Sequence, residues 1–128
     1  MVLGGMHLAL KRSNVEGTIV RSYDFDRIAC QVYSLNHSDV ILKADISKLE
    51  ADSLAALHAD LWLMSPPCQP YTVLSSRGGS TDPRAWPFVH LIKTLLPDLA
   101  SKDAHPRFMI IENVAGFEVI HFFWGSVK

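Results

Sequence analysis

Short apolar runs of strand length alternate with segments whose apolar residues recur at helical spacing, and this alternation constrains the fold more than any other feature. The runs are Thr18–Tyr23 (TIVRSY), Asp39–Leu42 (DVIL), Asp60–Met64 (DLWLM) and Arg107–Glu112 (RFMIIE). They are rich in β-branched and other apolar residues that suit a pleated, buried surface. Before the first run, Met6, Leu8, Ala9 and Leu10 predict a short helix after Gly4-Gly5. Ile28, Ala29, Val32, Tyr33 and Leu35 predict a second helix, with Asp24 or Asp26 as its N-cap. Residues 51–58 and Trp86–Leu99 predict two more. In the last, Phe88, Leu91, Ile92, Leu95 and Leu96 form the apolar face, and Pro87 falls in the first turn, where a missing N–H is tolerated. Strands joined through helices run parallel, so the expected class is α/β with a mostly parallel sheet.

The chain of 128 residues is 48% hydrophobic, enough for one folded domain. Its formal charge of −1 carries no bulk signal for nucleic-acid binding. Arg77, Arg84, Lys93, Lys102 and Arg107 are candidates for a local basic patch, with solvated surface charge as the competing reading. Two cysteines without a secretory signal make no disulfide framework. There is no C-x-x-C pair, and the six histidines have no ligand spacing, so no metal is expected. His7 and His121 receive no role. The apolar runs are far short of a membrane span. An intracellular location, cytoplasm or nucleus, is the expectation.

Ligands of open α/β sheets collect beyond the carboxyl ends of the strands. Asp24, Asp45, Pro67-Cys68 and Glu112-Asn113 each fall at or just after a predicted strand end. Cys68 stands in SPPCQPY, between rigid prolines directly after an apolar strand. That is a poor setting for a packing cysteine and a good one for a thiol held still and accessible. Cys30, on the apolar side of a predicted helix, reads as core. Residues 65–85 form a predicted loop long enough to imply a function.

PPCQPY at 66–71 followed by ENVAGFE at 112–118 resembles the cytosine-5 methyltransferases. Together with GGMHLAL at 4–10, RGGSTDPR and FVHLIKTLLP, these motifs are most similar to the branch that looks like a DNA methyltransferase but modifies a cytosine in the anticodon loop of aspartate tRNA. The resemblance implies a partial Rossmann-like fold dependent on S-adenosylmethionine. It implies Cys68 as nucleophile toward cytosine C6 and Glu112 as the acid at N3, with Tyr71 and Thr72 shaping the nucleophile loop. On the cofactor side it implies that Asp24 accepts from ribose hydroxyls and that Phe25 stacks on adenine. Asp45 would take the adenine amino group, with Ile46 beside the ring. Gly4 and Gly5 would approach the methionine part, and Pro67 would complete the set. The implied partner is nucleic acid, tRNA before DNA, with no membrane and no metal.

Relatives begin with a central strand that MVLGG does not supply, and they continue well past ENV. The resemblance therefore predicts a partial catalytic domain over 1–118, a divergent apolar tail over 119–128, and unpaired strand edges where the first strand is missing. Two rival readings stand beside a methyltransferase. One is a non-catalytic remnant that binds RNA or a full-length relative. The other is a thiol enzyme for acyl groups, which needs a histidine paired with Cys68; His90 is the nearest downstream candidate.

Overall fold

The computed structural model describes residues 4–38, 41–68, 83–115 and 117. The elements are α1 (Gly5–Arg12), β1 (Ser22–Asp24), α2 (Arg27–Asn36), β2 (Ile41–Lys43), a 3₁₀ turn (Ile46–Lys48), α3 (Ala51–Ala55), β3 (Leu61–Met64), a second 3₁₀ turn (Pro83–Ala85), α4 (Trp86–His90), α5 (Leu96–Ser101) and β4 (Phe108–Ile111). A π-helical turn, Leu91–Leu95, makes α4 and α5 one continuous helix. The expected α/β alternation is present, and both strand pairs are parallel.

Local chemistry explains most boundaries. Asp26 starts α2 by accepting a 2.8 Å hydrogen bond from the Ala29 N–H, so it rather than Asp24 is the N-cap. The helix predicted over 51–58 stops at Ala55, and the chain turns with His58 in the left-handed region at φ 48°. The π turn has a sequence cause in Pro97. In a regular α-helix its ring would strike the carbonyl of Lys93, and it donates no N–H. A widened turn just upstream makes room for it.

Two expectations are corrected. The strand predicted from Thr18 begins only at Ser22, where Ile41 supplies its ladder partner. β-propensity becomes a strand only beside a neighbour that takes its hydrogen bonds. The buried seam of α2 consists of Ala29, Cys30 and Tyr33, whereas Ile28 is 66% exposed and Leu35 86%. Small side chains at 29 and 30 let the helix lie close to the strands, and this turns the larger aliphatic residues outward. Cys30 is buried, as expected.

Ala51 and Leu54 of α3 pack with Leu91, Leu95 and Leu99 of the long helix. Leu99 is fully buried, at 0% exposure. Tyr23 of β1 and Trp62 and Met64 of β3 pack against this same cluster. β1 and β3 are therefore the strands nearest the shared core. No ladder joins β1–β2 to β3–β4 among the described residues, in keeping with the expected divided sheet. On the opposite face of the second pair, Phe108 is 62% exposed and Ile110 53%.

Leu99→Ala is expected to destabilise the protein by about 2–5 kcal/mol, measured by denaturant unfolding, because the void sits where three elements meet. Asp26→Ala is expected to cost about 1 kcal/mol in the same assay through loss of the α2 cap.

Candidate active site

The second strand pair builds the part of the site that carries Cys68. Leu61 to Met64 stand in register with Phe108 to Ile111. One step past the ladder, the Glu112 N–H donates to the Met64 carbonyl at 2.9 Å. One residue further, Asn113 Nδ2 donates to the Pro66 carbonyl at 3.0 Å. The loop after β3 and the segment after β4 are thus tied together at two successive points. Cys68 lies two residues beyond the second tie and is partly exposed, as a free thiol. Glu112 is exposed to solvent. Pro67, exposed, stands between Cys68 and the bonded Pro66. Asn113 had no role in the sequence reading beyond marking a strand end. Its amide is the clasp between the two motifs.

The first pair ends in two carboxylates. Asp24 stands opposite Lys43 in the ladder, and the Ala44 N–H donates to the Asp24 carbonyl at 2.9 Å, which brings Asp45 to the end of the neighbouring strand. Asp24 Oδ1 accepts the Asp26 N–H at 2.8 Å. Asp45 Oδ1 accepts the Ser47 N–H at 3.0 Å and the Ser47 hydroxyl at 2.6 Å. These bonds, the hydroxyl first, hold the Asp45 carboxyl below its ordinary pKa, so it is a carboxylate acceptor at neutral pH. Each carboxylate has a second oxygen without a hydrogen bond among the described residues. Phe25 is 70% exposed beside Asp24, an aromatic face open to a planar group. Ile46 is half-buried and leans on the core cluster.

The long helix links the two pairs of strand ends. His90 Nε2–H donates to the Leu49 carbonyl at 3.3 Å, just beyond the turn that follows Asp45. Phe88, on the same helix, meets Phe117 edge-to-face at 5.4 Å, five residues after Glu112. Among the described residues His90 is hydrogen-bonded to the segment after β2 and has no hydrogen bond to Cys68.

The two thiols differ in setting. Burial, with the Asp24 and Asp26 carboxylates adding to it, pushes the Cys30 thiol up and keeps it protonated. Its sulfur donates weakly to the Asp24 carbonyl at 3.7 Å. Of the glycines, Gly5 is exposed, while Gly4 is buried with φ 84°. A Cβ at Gly4 would collide with His37. The space a side chain would take at residue 4 is filled by the His37 ring.

Two members of the candidate basic patch have partners among the described residues. Lys102 is bound to Asp52 at 2.7 Å and Asp98 at 3.2 Å, and these carboxylates raise its pKa. Arg107 lies over the Phe108 ring at 5.8 Å. Arg77, Tyr71, Thr72 and the tail 119–128 lie outside the described residues. Among the described residues no group of three metal-binding side chains exists, and no helix is long and apolar enough to cross a membrane.

Comparison with known proteins gives a single family. Residues 2–119 match the C-5 cytosine-specific DNA methylases. The chain is 39% identical over 116 residues to a tRNA (cytosine(38)-C(5))-methyltransferase of Schizosaccharomyces pombe, covering 91% of this chain and 34% of that protein. It is 35% identical over 115 residues to a DNA (cytosine-5)-methyltransferase of Dictyostelium discoideum, covering 90% of this chain and 29% of the relative. The solved structure of the Entamoeba histolytica methyltransferase EhMeth superposes with a TM-score of 0.81 at 31% identity, covering 91% of this chain and 37% of that one. The chain spans about a third of the length of these relatives. With the two motif loops clasped at the ends of a parallel strand pair and the match running through nearly all of the sequence, this chain belongs to the C-5 cytosine-specific DNA methylase family.

Proposed function

We propose that this chain carries the chemical residues of an S-adenosylmethionine-dependent methyltransferase that modifies C5 of cytosine in nucleic acid, with a tRNA anticodon loop preferred over DNA as substrate. The observation that carries the reading is the clasp: Asn113 bound to Pro66, with Glu112 bound to Met64, holds the segment bearing the acid against the loop bearing the thiol.

Cytosine C5 is a poor nucleophile until the ring is activated. The Cys68 thiolate adds to C6, forming a C–S bond and pushing electron density to C5 and N3. The Glu112 carboxyl group meets that density at N3 by hydrogen bond or proton transfer. Bound S-adenosylmethionine would supply the methyl group. Once C5 is methylated, its proton leaves to a base, the electron pair returns to the ring, and the C–S bond breaks with departure of the thiolate. The base must be unstacked to reach Cys68, and a single-stranded loop makes that less costly than a duplex.

For the donor, Asp24 offers its unbonded oxygen to the ribose hydroxyls and Phe25 its open face to adenine. Asp45 faces the adenine amino group, with Ile46 beside the ring. Gly4, Gly5 and Pro67 complete the contact set. The RNA preference is supported by likeness to a relative named for tRNA cytosine 38. The likeness to a relative named for DNA keeps duplex substrate as the alternative.

RNA containing 5-fluorocytosine, which cannot release its C5 substituent as a proton, is expected to form a denaturation-resistant adduct with the chain in the presence of S-adenosylmethionine. Cys68→Ser is expected to form none. A folded chain that binds RNA without any adduct would favour a non-catalytic binding role. Asp24→Ala is expected to weaken S-adenosylmethionine binding by about tenfold in calorimetry, in line with loss of charge-assisted hydrogen bonds. Unaltered affinity would remove Asp24 from the site.

A further inference from the structure

Two imidazoles lie stacked inside the protein, and the proposed chemistry uses neither. The rings of His7 and His37 are 3.9 Å apart between centroids and 19° from parallel. His7 is 4% exposed, His37 9% and Tyr33 6%. Polar rings are buried at a cost unless their surroundings offset it. Tyr33 OH lies 2.6 Å from His7 Nδ1 and 2.9 Å from Ser22 Oγ, each a hydrogen bond. The Tyr33 ring also packs on His37, with centroids 4.6 Å apart. His37 is itself the C-cap of α2, its N–H donating to the Tyr33 carbonyl at 2.9 Å. One cluster therefore joins α1, β1 and the end of α2.

Gly4 rests on this cluster. It precedes α1 with φ 84° and is buried. A Cβ built there would overlap His37 Nε2 and come within 3.5 Å of Tyr33 Cδ2. No side chain caps α1 at this end, and its first internal bond runs from the Leu8 N–H to the Gly4 carbonyl at 2.9 Å. The conformation of the turn is thus set from outside, by the ring against which the glycine lies. Through Tyr33 and Ser22 the same cluster reaches β1, and β1 ends at Asp24.

We propose that His37 is a positioning residue for the methyl donor. Its ring, held by His7 and Tyr33, fixes the Gly4–Gly5 turn relative to β1, so that the turn and Asp24 present themselves to one ligand at a constant separation. This rests on the reading of Gly4, Gly5 and Asp24 as donor contacts. His37 touches no substrate and acts through the glycine turn.

The test uses the full chain and two variants, with S-adenosylhomocysteine as the probe. In His37→Ala, amide exchange over Leu8–Arg12 is expected to rise at least about tenfold while Leu91–Leu99 is unchanged, and affinity for the probe is expected to fall by about tenfold. His37→Phe, which keeps a flat ring against Gly4, is expected to restore both to within about threefold of the unaltered chain. The proposal is overturned if His37→Ala binds the probe as the unaltered chain does, or if exchange rises equally over Leu91–Leu99. It also fails if His37→Phe is as weak as His37→Ala. Absence of probe binding by the unaltered chain is a separate result: it refutes the donor contacts themselves and the positioning role along with them.

Discussion

The hydrogen bonds that continue the β3–β4 ladder past its last residue pair are the constraint on which the site depends. A parallel pair places two strand ends side by side, but the loops beyond them are free to diverge. Here the Glu112 N–H takes the Met64 carbonyl and the Asn113 amide takes the Pro66 carbonyl. Pro66 and Pro67 restrict φ on the thiol side, so the tie transmits to Cys68 with few intervening soft torsions. The proposed nucleophile and acid would need this kind of shared footing, because small displacements of reacting groups carry large rate penalties.

A second constraint operates at the other strand pair and works through packing. The carboxylates of Asp24 and Asp45 end adjacent strands, while the buried rings of His7, Tyr33 and His37 hold α1 against α2 and β1. The long helix carries the connection between the pairs. Its core face and α3 form the cluster against which Tyr23 from one pair and Trp62 and Met64 from the other pack, and its polar and aromatic contacts at His90 and Phe88 reach the segments beyond β2 and β4. The π turn before Pro97 lets that helix stay continuous across a residue that would otherwise break it. The two halves of the proposed chemistry, donor and nucleophile, are therefore coupled through a hydrophobic cluster centred on Leu95 and Leu99 rather than through an unbroken sheet.

Much of this was legible in the residues alone. The elements around Arg27–Asn36, Leu61–Met64, Trp86–Ser101 and Phe108–Ile111 follow from periodicity and capping, which are local. The strand at Thr18–Arg21 and the apolar face of α2 differ from the local pattern for one reason. Both depend on what lies alongside, and a single sequence does not name its neighbours. Ile28 and Leu35 satisfy helical spacing, yet Ala29 and Cys30 win the interface because they permit a closer approach. The histidine pair had a faint signal: Tyr33 and His37 are four apart and share a helix face. Nothing local connects them to His7.

The sequence by itself determined the class of fold and the family, and it named the proposed reactive groups, since these reside in patterns spanning a few residues: alternating apolar runs, PPCQPY and ENVAGFE. Only the tertiary structure decided that Asn113 clasps Pro66, that Gly4 lies on His37, and that Lys102 pairs with Asp52 and Asp98. Each of these joins residues at least 33 positions apart, apart from the local Lys102–Asp98 pair. Contacts at such separations are fixed by how the elements pack around Leu99, where shape and buried area select one arrangement from the many that local preferences allow.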